Sequence, residues 1–322
     1  MKKKRIVFIV GPTAVGKTDV AFFVAQTLKG EVVSCDAMQV YKGVEILISK
    51  TPLSLRRKIK HHLIDVVSLT EDFDVAAYRK LALAAMEKIH FSGKPIVVAG
   101  GSGMYMKVLL DGIFSGSARN PAVCQDLEEK AERDGNAALY AQLQQVDPQA
   151  ARKIHANDTR RIVRALEVYF SAKQPISDLQ KTCEGLWGNA DILLFSLNRD
   201  RTELYDRINQ RVDAMFAEGA VNEVQKMDGV HLSRTAAAII GVKEIRGYLA
   251  GEYDLERAKY LMKLHTRHLA KRQLTWFRRE ERLHWVDIHS TESPQDVAQK
   301  IIHEIGIREE QHDARKSSIG GG

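Results

Sequence analysis

The sequence predicts an α/β fold: a parallel β-sheet flanked by helices, with an all-helical domain inserted into it. Three observations lead there. Short, continuous apolar runs alternate with stretches of helical period, the pattern of strands buried on both faces. The first run ends in a glycine-rich loop that opens a helix. Between residues 119 and 187 strand patterning stops, and charged helical sequence with turn signals at Asp147-Pro148 and Gln174-Pro175 takes its place.

Residues 6–10 (IVFIV) form the first expected strand, closed by Gly11-Pro12. Residues 18–29 follow with helical spacing of Val20, Phe23, Val24 and Leu28. Residues 31–34 read as a second short strand. A helix is expected over 74–91, with Leu81, Ala85 and Ile89 facing the core. Residues 95–99 (PIVVA) give a third strand, ended by Gly100-Gly101, and 191–197 and 283–288 a fourth and fifth. Residues 1–118 and 188–307 are thus expected to make one discontinuous core domain, 119–187 the insertion, and the polar, glycine-ended 308–322 a disordered tail.

Composition narrows the function classes. The 322 residues include 44% hydrophobic and 28% charged side chains, as in ordinary soluble globular proteins. A formal charge of +7 suits a polyanionic partner without requiring one. Cys35, Cys124 and Cys183 are odd in number and form no CxxC pair, so neither a disulfide framework nor a zinc site is indicated. The apolar run at 6–10 is too short for a secretory signal, and no run approaches a membrane span. A cytoplasmic protein without membrane contact is expected.

Gly11-Pro12-Thr13-Ala14-Val15-Gly16-Lys17-Thr18 matches GxxxxGK[ST], between a strand and a helix, where its mechanism needs it. Backbone amides and the helix dipole cradle a phosphate, Lys17 reaches its far end, and the Thr18 hydroxyl is placed to hold Mg²⁺. The sheet is therefore expected to be of the P-loop NTPase-like kind. The strand 95–99 ends in glycines instead of a metal-binding acid. The acid comes at the end of the second strand, as Asp36, which suits a general base. These residues alone leave two enzymes open, a kinase and a transferase using a diphosphate ester.

Further motifs occur in order along the chain: DAMQVYKG from Asp36, HHLID from His61, GGSGMY from Gly100, NDTRR from Asn157 with RALEV from Arg164, RINQRV from Arg207, GVKE from Gly241 and AKRQLTWFR from Ala270. Together with GPTAVGKT they resemble the tRNA dimethylallyltransferase (isopentenyltransferase) family from Gly11 to about Arg279. The resemblance implies transfer of a dimethylallyl group from dimethylallyl diphosphate to the exocyclic amine of the adenosine 3′ to the anticodon. The tRNAs would be those reading codons that begin with U. It implies a Mg²⁺-dependent enzyme acting as a monomer on the tRNA anticodon stem-loop.

The residues carry parts of that chemistry independently. A departing diphosphate needs developing negative charge stabilised. The loop amides, Lys17 and, by the motif match, Arg211 can do so. The adenine amine is a poor nucleophile and needs a base, for which Asp36 is the candidate. Gln39 can read adenine by a two-bond amide contact. Ser102, where the family has Thr, would contact donor or acceptor. Adjacent His61 and His62 point opposite ways on a strand and are expected to be structural, and Tyr41 and Tyr105 to be packing residues. By the resemblance, tRNA would also be met by Ala37, Met38, Cys124, Arg160, Arg161, Ile162, Val163, Arg164, Gly241, Lys243, Lys271, Arg272, Gln273, Trp276 and Arg278.

Two helices support RNA contact by their faces. Projected at about 100° per residue, Met262, Leu269 and Trp276 fall on one side and Arg267, Lys271 and Arg278 on the other. Near 158–170, Ile162, Val163, Leu166, Tyr169 and Phe170 cluster opposite Arg160, Arg161 and Arg164. Such faces suit a phosphate backbone, and an acceptor base would leave its stack to reach the donor. The sequence departs from the family at Ala37 (usually Ser), Cys124 (usually Arg), residues 46–50 and Val242 (usually Tyr), which bears on the RNA side of the reaction. An arginine restored at position 124 is expected to add a phosphate contact. The rival readings are a P-loop kinase, an adenylate isopentenyltransferase using free nucleotide, and an idle RNA-binding protein. The basic helices disfavour the second, and intact Lys17, Thr18 and Asp36 the third.

Overall fold

The computed structural model describes residues 4–114 and 120–319, with side chains through residue 307. Six parallel strands form one sheet: β1 (Arg5–Val10), β2 (Glu31–Ser34), β3 (His61–His62), β4 (Ile96–Gly100), β5 (Asp191–Asn198) and β6 (His284–Asp287), in the order β3-β2-β4-β1-β5-β6. β1 lies between β4 and β5, which explains why Ile6, Val7, Phe8 and Ile9 are all fully buried. Chain order doubles back across β1 and β4. The loops leaving their C-terminal ends are therefore neighbours, the usual place for a ligand in an open α/β sheet.

The chain forms two compact units, residues 1–107 with 188–322 and residues 108–187. The first holds α1 (Lys17–Thr27), α2 (Leu53–Arg56) and α3 (Val75–Phe91), and α4 (Gly103–Leu110) begins in it and ends just past the break. The second holds α5 (Pro121–Asp134), α6 (Asn136–Val146), α7 (Pro148–Lys153), α8 (Thr159–Ala172) and α9 (Ile176–Lys181) around Leu127, Leu139, Leu143, Ile162, Val163 and Leu166. It begins at residue 108, earlier than the expected 119, because entering and leaving backbone pair here. Leu186 N–H donates to Leu109 O (2.9 Å) and Trp187 N–H to Leu110 O (3.0 Å). A Cβ at Gly185 would lie 1.9 Å from Leu110 O, so this pinch admits only glycine.

After β5 come α10 (Arg201–Ala217), α11 (Ala220–Gln225), α12 (Val242–Leu249), α13 (Leu255–Phe277) and α14 (Pro294–Ile319). One core cluster joins Val20 and Val24 of α1, Ile208 of α10, Ala270 of α13 and Ile301 of α14 to the strand residues Val7 and Phe195. Among the described residues, no helix is long and apolar enough to cross a membrane.

Three local expectations change. α3 begins one residue after its N-cap, Asp74, whose carboxylate accepts from Ala76 and Ala77 N–H. Its buried face is Tyr78, Ala82, Ala85, Met86 and Ile89, so Ala85 and Ile89 face the core as expected while Leu81 is exposed. The sheet gains β3, two residues long and readable by neither period. From residue 308 helix replaces the expected disorder, because 308–316 (REEQHDARK) contains no glycine or proline to stop α14. Gly320–Gly322 lie outside the described residues.

Candidate active site

The glycine loop joins β1 to α1 as expected. Gly16 takes φ 107° at the N-cap of α1, a conformation that favours glycine. Ala14 also has positive φ (64°). Its carbonyl accepts from Arg207 Nε (2.9 Å), and the Val15 carbonyl from Arg199 Nε (3.1 Å). In trans peptides, N–H and C=O of one unit point oppositely. Arginine capping of these two carbonyls thus directs the Val15 and Gly16 N–H groups to the other side of the loop. Val15 itself is a core side chain, Gly11 is packed against Leu197 O, and Pro12 O accepts from Lys17 Nζ (2.6 Å).

A cavity of about 600 Å³ opens over the C-terminal ends of β1, β2 and β4. It gathers Thr13, Lys17 and Thr18 of the loop, Asp36 to Gln39 after β2, Gly101 and Ser102 after β4, Arg211 of α10, and Arg272 and Gln273 of α13. Burial lowers the Lys17 ammonium to about 8; Asp36 opposes that shift and Arg211 adds to it. Burial also pulls the Arg211 guanidinium below its usual value, against the attraction of Asp36. Both cations are held beside the cavity with little compensating charge, an arrangement that a diphosphate would complete.

Asp36 sits just beyond β2. Its Oδ1 accepts from Met38 N–H (2.9 Å), which curls the chain after the strand. Ser102 Oγ accepts from Ala37 N–H (2.9 Å), so this hydroxyl braces the Asp36 turn from the β4 side. Gln39 Oε1 accepts from Thr51 Oγ1 (3.2 Å). Arg211 Nε donates to Ser49 Oγ (2.6 Å) and its Nη1 to Thr13 Oγ1 (3.3 Å). Beneath the site, Cys35 is fully buried and its thiol is pushed up to about 12, chiefly by desolvation. Tyr41 and Tyr105 are buried, Tyr105 stacking on Tyr78 at 3.8 Å between ring centroids.

One wall of the cavity, not anticipated from sequence, is apolar: Leu47, Ile48, Val212, Met215, Ile239 and Met262. Val212 and Met215 continue the Arg211 face of α10, which was a readable signal. The loop carrying Leu47 and Ser49 had none. It is pinned by buried Glu223 of α11, whose carboxylate accepts the N–H groups of Glu45 (2.6 Å), Ile46 (2.9 Å) and Leu47 (2.9 Å). Nearby Lys50, its side chain fully buried, bonds Glu45 and Asp65. His61 and His62 bond Ile59 O and Glu31 Oε2, both at 2.7 Å.

Several residues expected to meet RNA are placed otherwise. Ile162 and Val163 belong to the core of the helical unit, and their side chains cannot reach a partner. Cys124 is buried on α5, so an arginine there would not reach a phosphate as expected. Gly241 is buried at φ 107°, with its N–H donated to Glu244 Oε2 (2.7 Å). Gln273 bonds Thr13 N–H and Gly101 O, and Arg267 bonds Asn209. Arg160, Arg161, Lys243, Lys271, Arg272 and Arg278 are exposed. Trp276 is half-buried over Gly103, where a Cβ would come within 2.3 Å of its ring.

Fold and cavity together define a P-loop-like α/β protein in which a glycine-rich loop and a carboxylate line one cavity. Residues 39–280 match the family model described as IPP transferase. A tRNA dimethylallyltransferase of Alkaliphilus oremlandii is 41% identical over 306 residues, covering 94% of this chain and 97% of the relative. One from Natranaerobius thermophilus is 42% identical over 310 residues, covering 95% and 92%. Among solved structures, the tRNA isopentenylpyrophosphate transferase of Bacillus halodurans superposes with TM-score 0.71 at 34% identity, covering 98% of this chain and all of that one. A eukaryotic dimethylallyltransferase acting on tRNA gives TM-score 0.79 at 28% identity, covering 93% and 78%. The chain belongs to the IPP transferase family.

Proposed function

We propose that this chain transfers a dimethylallyl group from dimethylallyl diphosphate to the exocyclic amine of the adenosine 3′ to the anticodon, in tRNAs reading codons that begin with U. The observation that carries the reading is one cavity with two unlike ends of chemistry. Half-buried cations, Lys17 and Arg211, stand with the glycine loop, and Asp36 stands on the neighbouring loop. An apolar wall completes the space and suits a five-carbon tail.

In the step, the adenine nitrogen forms a bond to the allylic carbon as the carbon–oxygen bond to diphosphate breaks. Asp36 takes the proton that the amine loses. Charge accumulates on the departing diphosphate, where Lys17, Arg211 and the loop N–H groups meet it. Ser102 holds the turn that aims Asp36, and Gln39, lining the same cavity, would bond the adenine edge. The Thr18 hydroxyl at the head of α1 would hold Mg²⁺. Bound there, Mg²⁺ would neutralise diphosphate charge. Exposed Lys271, Arg272 and Arg278 of α13 and Arg160 and Arg161 of α8 are suited to tRNA phosphates.

The test is mass spectrometry of nucleosides from tRNA incubated with the protein and dimethylallyl diphosphate. Isopentenyladenosine is the expected product, formed only with Mg²⁺ and tRNA present. Prenylation of free AMP instead of tRNA, or phosphate transfer from ATP without RNA, would sink the proposal.

A further inference from the structure

Gln273 follows the exposed pair Lys271-Arg272 on α13, and sequence alone groups it with residues facing RNA. Its side chain turns inward instead. The carboxamide oxygen accepts from Thr13 N–H at 2.8 Å, and Nε2 donates to Gly101 O at 3.0 Å. Both partners are backbone groups of the two loops that frame the cavity. From Thr13 the connection reaches the phosphate side, because Thr13 Oγ1 accepts from Arg211. From Gly101 it reaches the base side, because the next residue, Ser102, accepts from Ala37 N–H beside Asp36. A carboxamide offers an acceptor and a donor at one fork, which this pair of partners requires. The fit is close: a Cβ on Gly101 would stand 2.5 Å from Gln273 Nε2.

We propose that Gln273 is a positioning residue for the transfer reaction, setting the spacing between the diphosphate-holding loop and the loop that aims Asp36. The inference rests on the proposed function. Two loops joined only through the strands beneath them would each keep some freedom. Misplacement of reacting groups by about 1 Å costs roughly 10²-fold in rate. One amide fork on a long helix removes that freedom and ties both loops to the element carrying Lys271 and Arg272.

Gln273→Glu and Gln273→Ala in the full chain test this. Glutamate keeps the acceptor for Thr13 N–H, but when ionised it sets a carboxylate against the Gly101 carbonyl. Protonated, it donates to that carbonyl again. We expect kcat to fall about 10–100-fold in both variants. Gln273→Glu should recover activity relative to the unaltered protein as pH is lowered from about 6.5 to 4.5, through the ordinary range of a glutamate, and Gln273→Ala should not. The dissociation constant for tRNA and its salt slope should match the unaltered protein. Weaker tRNA binding with kcat intact would make Gln273 an RNA contact and overturn the proposal, as would unchanged kcat in both variants. A loss in Gln273→Glu that is independent of pH would also overturn it. Calorimetric binding of inorganic diphosphate separates this from failure of the functional reading. Gln273→Ala should bind diphosphate more weakly even if the unaltered protein proves not to prenylate tRNA, and equal binding would overturn the clamp.

Discussion

Two helices, α8 and α13, carry arginine-rich faces opposite apolar ones, and they use those charges differently. On α8, Arg164 is paired with Glu167, which is buried and also accepts from Asn120 N–H (2.9 Å). Arg161 lies 3.4 Å from Asp158, the N-cap of the same helix. On α13, Lys271, Arg272 and Arg278 form no ion pair among the described residues, and Arg272 lines the cavity. Two of the three arginines on the α8 face, Arg161 and Arg164, are therefore engaged in the helix's own construction, while Lys271, Arg272 and Arg278 of α13 remain available. Equal charge in a sequence does not mean equal charge presented to a partner.

The largest effect should separate chemistry from docking. Asp36→Asn is expected to lower kcat by roughly 10²–10⁴-fold while tRNA binding through both helices stays unchanged. Steady-state kinetics beside filter-binding titrations check this, and unaltered kcat would leave Asp36 a turn residue.

Next in size is the pH response of the donor site, which neither helix should influence. Lys17 is charged below about 8 and neutral above it in the free protein. A diphosphate prefers the charged form. Affinity is therefore full below that pH and lost as pH rises through it, by up to about tenfold per unit until the raised pKa of the complex is reached. Titration calorimetry with inorganic diphosphate reads the slope, and a flat profile to pH 9.5, on the scale of about 1.5 units above that midpoint, would contradict it.

A third measurement breaks the sequence's view of the helical unit. Cys124→Arg should not tighten tRNA binding. It should lower the melting temperature, because an arginine in place of a buried thiol puts an uncompensated charge into a packed core. Tighter tRNA binding at unchanged stability would return position 124 to the RNA surface.

The smallest effects sharpen the comparison directly. Lys271→Ala should reduce the slope of log affinity against log salt by about 0.7–0.9, one phosphate contact. Arg161→Ala should reduce it by less, since Asp158 already satisfies part of its charge. Equal reductions would show that RNA displaces the Asp158 pair completely.

The sequence by itself determined most of the sheet and the glycine loop of the site. Strands such as 6–10 and 95–99 are short apolar runs whose burial on both faces leaves no other reading. The loop from Gly11 to Thr18 works through its own backbone, so contiguous residues suffice to reveal it. Asp36 was legible for the same reason, one residue past a strand end. Helix faces were legible in period but not in use: Arg164, Arg267 and Gln273 look like their exposed neighbours until Glu167, Asn209 and Thr13 are brought beside them. Nor does periodicity disclose β3, whose two residues are defined only by pairing with β2. Tertiary structure alone decided which polar groups remained for a partner. Hydrogen bonds spanning 260 residues, from Gln273 to Thr13, or 178, from Glu223 to Glu45, depend on chain segments that only folding brings together. Each one made inside the protein removes a group that the sequence offers to the ligand.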